Sequence, residues 1–232
     1  MAATITHLAV AKRIIERLPE GTIRNELLFY AGSIAPDAIH ARENYIREFK
    51  KRTHFTTGIS GDQFIKKENQ LLFHERVQQF ITDYIVSSNA DFDLYRGYIV
   101  HVLTDEIFNL TIREEFADKM AAIGIAQHDR IFFNLFMNDN DINDRKTALQ
   151  FKNLDQLFTM LQEMEPYEIR DYLTEEELAA SRDWVIRKYA EGKKVTETAA
   201  YISYERINEF IEEASMNVVT RLTDGISFSK LF

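Results

Sequence analysis

The stretch GYIVHVLTDEIFN, Gly97 to Asn109, decides how this chain is read. Its apolar residues run without a breaker, and the flanking sequence extends the pattern into a long helix from about Phe92 to Met120. His101 and Asp105 are four residues apart, so on a helix one side chain stands above the other. Leu94, Tyr98 and Phe108 share that face, which makes it a face to be buried. An ionisable pair in such a place needs a partner. A hydrogen-bonded core histidine satisfies the requirement, and so does a metal ion.

Outward from this segment the chain reads as all-α. Leu8, Val10, Ala11, Ile14, Ile15 and Leu18 recur at helical spacing, with Thr6 as the expected cap and Pro19-Glu20-Gly21 as the stop. A second helix runs from about Ile23 to Ala31, and the Ala-Pro before Asp37 places that carboxylate at a turn or a new helix start. Residues 43–61 lack periodicity and read as a loop holding His54 and the basic run EFKKRTHF, expected to be solvated. A helix follows from Asp62, closed by SSNADFD, which also supplies caps for the next one. Further helices are expected at 126–138, 143–165, 174–192 and 200–221. MNDNDIND, Met137 to Asp144, is rich in side-chain oxygens but lacks the glycine and the distal glutamate of a calcium loop. It reads as an Asx-rich turn.

The 232 residues suffice for one domain with a proper core, and no internal repeat or Ser/Gly/Pro linker divides them. Eight glycines and three prolines are few for this length, favouring long helices. The net charge of -9 argues against general binding to nucleic-acid backbones, which requires a basic face. With no cysteine, any metal site must be built from His, Asp and Glu. The amino-terminal segment carries Lys12, Arg13, Glu16 and Arg17 inside its apolar pattern, so it reads as neither signal nor membrane span, and a cytoplasmic protein is expected.

Of the six histidines, His74 and His128 stand beside charged residues and read as exposed. His101 and Asp105 suit zinc, whose borderline softness accepts imidazole nitrogen and carboxylate oxygen together. Asp37 at its turn and His54 in its loop can complete a two-His, two-Asp set, and His7 can approach the same place. Glu106 is expected off this face and in solvent, Asn109 as an ordinary buried amide, and His40 as a neighbour of the site.

In order along residues 4–110, THLAVA, FYAGSIAPDA, RTHF and GYIVHVLTDEIFN resemble the motifs of the bacterial zinc-dependent phospholipase C family, whose fold also houses single-strand nucleases. The resemblance implies a single-domain helical hydrolase that cleaves phosphoester bonds with metal-activated water. It implies one zinc held by Asp37, His54, His101 and Asp105, and His7 near a second metal bridged by Asp105. Asp37 is also the implied general base. The chain departs from the family in three respects. Its first residues are Met-Ala-Ala where full members ligate through an amino-terminal tryptophan, Thr111 stands where another histidine is expected, and no His-x-x-x-Glu pair follows. One zinc is therefore expected, a second is open and a third is doubtful. A small soluble phosphoester is the expected substrate.

Two rivals belong to other classes. The fold can serve as a non-catalytic scaffold that uses the metal to hold helices or a phosphorylated ligand, and QHDR (His128, Asp129) suggests an HD-type phosphohydrolase.

Overall fold

The computed structural model describes residues 1–86, 92–190 and 195–223, and these are helical with no β-strand among them. The order is α1 (Thr4–Arg17), α2 (Glu26–Ile34), a 3-10 helix over Ala35–Ala41, α3 (Arg47–Thr53) and a 3-10 turn over Gly61–Gln63. Then come α4 (Lys67–Phe80), a π-helical turn over Ile81–Val86, α5 (Phe92–Leu110) and α6 (Ile112–Ala121). The chain continues through α7 (Arg130–Gln150), α8 (Leu154–Gln162), α9 (Glu175–Ala190) and α10 (Tyr204–Thr223).

Helix α5 is the centre. Side chains all round it are buried, from Asp93 to Phe108 with only Arg96 partly exposed, because α1, α2, α6 and α10 pack about it. The single buried face expected from sequence is thus a buried helix. This corrects the placement of Glu106 in solvent: it is 2 % exposed, with its carboxylate between His74 Nε2 at 2.6 Å and Arg221 Nη1 at 2.5 Å. Tyr98 is fully buried and its hydroxyl donates to the Thr53 carbonyl at 2.6 Å, tying α5 to α3.

Two glycines set how closely α2 and α5 cross. A Cβ on Gly32 would lie 2.0 Å from the Leu94 carbonyl oxygen, and one on Gly97 would lie 2.1 Å from that of Phe29. Only glycine permits backbones to approach so closely. The consequence is that the end of α2 and the 3-10 helix carrying Asp37 lie directly against the His101 turn.

Five expectations about elements need correction. The helices expected at 126–138 and 143–165 are instead α7, continuous through 139–142, and α8, separated from it where Asn153 turns left-handed (φ 64). The loop at 43–61 contains α3, whose side of EFKKRTHF packs against the 3-10 helix of Asp37. The helix expected to reach Met120 stops at Leu110, because Thr111 leaves helical geometry (φ -121, ψ -84) with its hydroxyl bonded to the Ile107 carbonyl at 2.7 Å. Thr6 is not the cap of α1, which starts at Thr4.

MNDNDIND is not a turn. It lies inside α7, where Asp139, Asn143 and Asp144 are buried. The two carboxylates accept from the approaches to other helices, and Asn143 Nδ2 donates to the Ile202 carbonyl at 2.8 Å. Asp144 takes the amides of Ile5 and Thr6 at 3.1 and 2.8 Å and the Tyr189 hydroxyl at 2.5 Å. Asp139 takes the amides of Ala200, Tyr201 and Ile202 at 2.6–2.9 Å. These carboxylates stand at helix entrances, where amide protons lack partners. Of SSNADFD, residues 87–91 fall outside the described residues, and Asp93 receives the amides of Arg24 and Asn25, which lead into α2.

Candidate metal centre

His101 projects from the middle of α5, and its Nδ1–H donates to the Ser33 carbonyl at the end of α2, 2.8 Å away. His54 is the residue after α3, and its Nδ1–H donates to the Lys50 carbonyl at 3.0 Å. A carbonyl can only accept, so each partner assigns the proton to Nδ1 and aims Nε2 elsewhere. Both Nε2 atoms point at the same spot, 3.2 Å apart. This is the outer-shell arrangement that orients metal-ligating histidines.

Two carboxylates join them. Asp37 Oδ1 is 3.3 Å from His54 Nε2, and Asp105 Oδ2 is 3.7 Å from both His54 Nε2 and His101 Nε2. Zinc bonds of about 2.0–2.1 Å in tetrahedral geometry give ligand-to-ligand edges of about 3.3 Å. The measured separations sit at or just above that edge. Asp105 Oδ2 is buried without a hydrogen-bond partner.

His7, from the first turn of α1, stacks on His101 with ring centroids 3.7 Å apart and planes within 10°. Its Nε2 lies 3.4 Å from Asp105 Oδ1, out of hydrogen-bond geometry, and both of its buried ring nitrogens lack a partner. Buried polar atoms left unsatisfied are rare and call for an explanation. His7, His101 and Asp105 form one group able to hold a metal, and Asp37, His54 and His101 form another. His101 has one nitrogen left to give, so it can complete only one of them.

The electrostatics follow from this crowding. Burial, and after it the neighbouring His7, pushes His101 well below the ordinary imidazole pKa, so its ring is neutral at pH 7. Burial opposes the ionisation of Asp105, yet His7, the chain's amino group and His101 hold its carboxyl far below the usual range. The Ala2 amide adds a hydrogen bond at 2.8 Å. Asp37 is likewise opposed by burial but held well below its ordinary value by Lys50, His54 and His101.

All five residues singled out in the sequence therefore meet in one place. Lys50 was overlooked, having been read as part of a solvated run. Its side chain is 14 % exposed, and its Nζ lies 2.6 Å from Asp37 Oδ1 and 3.1 Å from His40 Nε2. On a helix, the four-residue spacing of Lys50 and His54 is the signal that would have found it. His40 is half exposed at the rim, and Asn109 is part-exposed rather than buried. His74 is part-exposed and bound to Glu106, whereas His128 is almost fully exposed beside Asp129, far from the enclosed core an HD centre needs.

The centre opens through Asp37 and His54 into a cavity of about 1160 Å³. Seven Lys or Arg and three Asp line it, in a chain of net charge -9. Phe132, Phe136, Trp184 and Tyr189 form an aromatic wall. No helix among the described residues is long and apolar enough to cross a membrane. No protein-family model, curated protein or solved structure matches this chain.

Proposed function

We propose that this chain is a zinc-dependent hydrolase of phosphoester bonds, a divergent relative of the bacterial zinc-dependent phospholipase C family. The observation that carries the reading is the cluster in which His54 Nε2 lies 3.2 Å from His101 Nε2 and 3.3 Å from Asp37 Oδ1, with Asp105 Oδ2 3.7 Å from both imidazoles. The Nδ1 atoms of both histidines are already committed to carbonyls. Zinc there would acidify a bound water toward a pKa of about 7 and polarise a phosphoryl oxygen.

The chain's own residues supply the rest. His101 and Asp105 are buried and orient rigidly, whereas the Asp37 side chain is 26 % exposed on the cavity floor. Asp37 is thus the carboxylate that both an ion and a water in the cavity can reach, as a general base must. Lys50 beside it supplies positive charge for a phosphoryl oxygen. His7 braces His101 from the buried side, and we assign it a supporting role because His101 cannot serve two ions through one nitrogen.

A non-catalytic metal scaffold is the second reading, favoured by the four-donor set itself, since a closed shell leaves no position for water. A panel of chromogenic phosphomonoesters and phosphodiesters separates the two. Hydrolysis that is abolished by chelator, restored by zinc and absent from Asp37→Asn supports the hydrolase. A zinc-loaded protein inert on the whole panel supports the scaffold.

A further inference from the structure

Arg113, at the start of α6, is the cation of the cavity that its own fold leaves uncompensated. Its Nε is buried and has no hydrogen-bond partner, and its Nη2 reaches only Gln127 Oε1 at 3.5 Å. Among the described residues no carboxylate lies within ion-pair distance of it. By contrast Lys50 meets Asp37, Lys51 meets Glu48 and Lys188 meets Asp141. Arg47, Arg130 and Arg187 line the same cavity but are exposed to water.

A guanidinium cannot relieve burial by losing its proton, so it keeps its charge and its demand for an anion. Burial weighs against that charge, Glu114 and Asp62 ease it from a distance, and Arg47 adds repulsion. The site around it is shaped. Phe132 lies against the guanidinium, 5.7 Å from ring centroid to Cζ. Gly61 lets the guanidinium lie close to the backbone: a Cβ there would meet Cζ at 3.2 Å and the two Nη atoms at 3.3 and 3.4 Å, so a larger residue would crowd the cation. Arg113 and Lys50 line the same cavity as Asp37 and His54 of the metal centre.

We infer that Arg113 is the anion anchor of the cavity and binds a phosphate group of a small phosphorylated ligand. Its planar fork can donate to two phosphate oxygens at once, and Arg47 and Lys50 on α3 line the same cavity. That this phosphate belongs to a substrate rests on the hydrolase reading; that it binds does not.

The test is calorimetric titration of inorganic phosphate into chelator-stripped protein at fixed ionic strength, with Arg113→Gln and Arg113→Lys compared and their urea midpoints recorded. The expected result is binding by the wild type, at least tenfold weakening in Arg113→Gln and partial recovery in Arg113→Lys. Absence of phosphate binding by the wild type, or wild-type affinity in a folded Arg113→Gln, overturns the assignment. Zinc uptake by separate, zinc-incubated and desalted samples of the same proteins tests the metal centre on which the hydrolase reading rests, since Arg113 is not among the proposed ligands. Competition by glycerol phosphate against vesicles containing phosphatidic acid tells a soluble phosphate source from a lipid one.

Discussion

Gly97→Ala tests the link between helix packing and the metal centre. The new methyl would sit 2.1 Å from the Phe29 carbonyl oxygen and 2.9 Å from the Ser33 amide nitrogen, both backbone atoms that no rotamer change can move. Ordinary contact begins near 3.4 Å, so α2 and α5 must part by about 1.3 Å. The His101 Nδ1 bond to the Ser33 carbonyl, 2.8 Å in the wild type, then stretches beyond hydrogen-bond range. Overpacking costs about 1–3 kcal/mol, and an unsatisfied buried donor costs about 1–3 more. The better helix propensity of alanine returns up to about 1 kcal/mol. The expected loss is about 3 kcal/mol of unfolding free energy, read by urea titration of metal-free protein, together with weaker zinc binding in competition with a chromophoric chelator. Gly124→Ala is the control, because Gly124 (φ +81) has no atom near its missing Cβ. Its left-handed backbone costs about 1–2 kcal/mol and leaves zinc binding unchanged. If Gly97→Ala stays within about 0.5 kcal/mol of wild type and binds zinc normally, the close crossing does not position the centre.

Asp144→Asn weakens four charge-assisted contacts to the start of α1 and Tyr189, and is expected to lower the urea-derived stability by about 2–4 kcal/mol; a loss under 0.5 kcal/mol would mean that α1 is held by its apolar face alone. Zinc at a hundredfold excess over its Kd should raise unfolding stability by about 2.7 kcal/mol, or roughly 5–10 °C in Tm, with chelator reversing the gain. A Tm indifferent to zinc would show that the ion prefers no folded site. In metal-free protein, the lowered His101 pKa means that the unfolded chain binds the proton more readily, so stability falls as pH drops below about 6.5. The depressed Asp105 and Asp37 carboxyls lose their contribution below the unfolded value of about 3.9, continuing the decline in the same direction. Urea midpoints from pH 8 to pH 2.5 check both declines, and a His101→Gln profile identical to wild type would remove His101 as the cause of the first.

The helical class, Asp37 and the His101–Asp105 pair were legible from local signals, namely unbroken apolar runs, a proline-set turn and an i, i+4 spacing, whereas bringing His7 and His54 to the same place rested on the order of motifs that carries the family resemblance. Glu106 was not legible, since its burial depends on Arg221 arriving from α10, more than a hundred residues away. The same holds for MNDNDIND. Asx-rich composition favours turns locally, but here Asp139 and Asn143 stand four apart on α7 and bond the backbone of 200–202, while Asp144 takes amides at the start of α1. Their partners lie far along the chain, so composition pointed to a turn and tertiary hydrogen bonding made a helix. Lys50 and Arg113 were missed for a related reason. A lysine in a basic run looks solvated until α3 turns it toward Asp37, and an arginine looks ordinary until no carboxylate among the described residues proves to lie at ion-pair distance.

The most direct measurement is elemental analysis of protein purified without added metal or metal-bearing resin, then incubated with zinc and desalted, beside His101→Ala with its fold checked by circular dichroism. The account predicts one tightly held ion per wild-type chain and none in a folded His101→Ala. A wild-type protein that emerges metal-free after zinc incubation would contradict it, and would leave the His101 and Asp105 pair as a core contact.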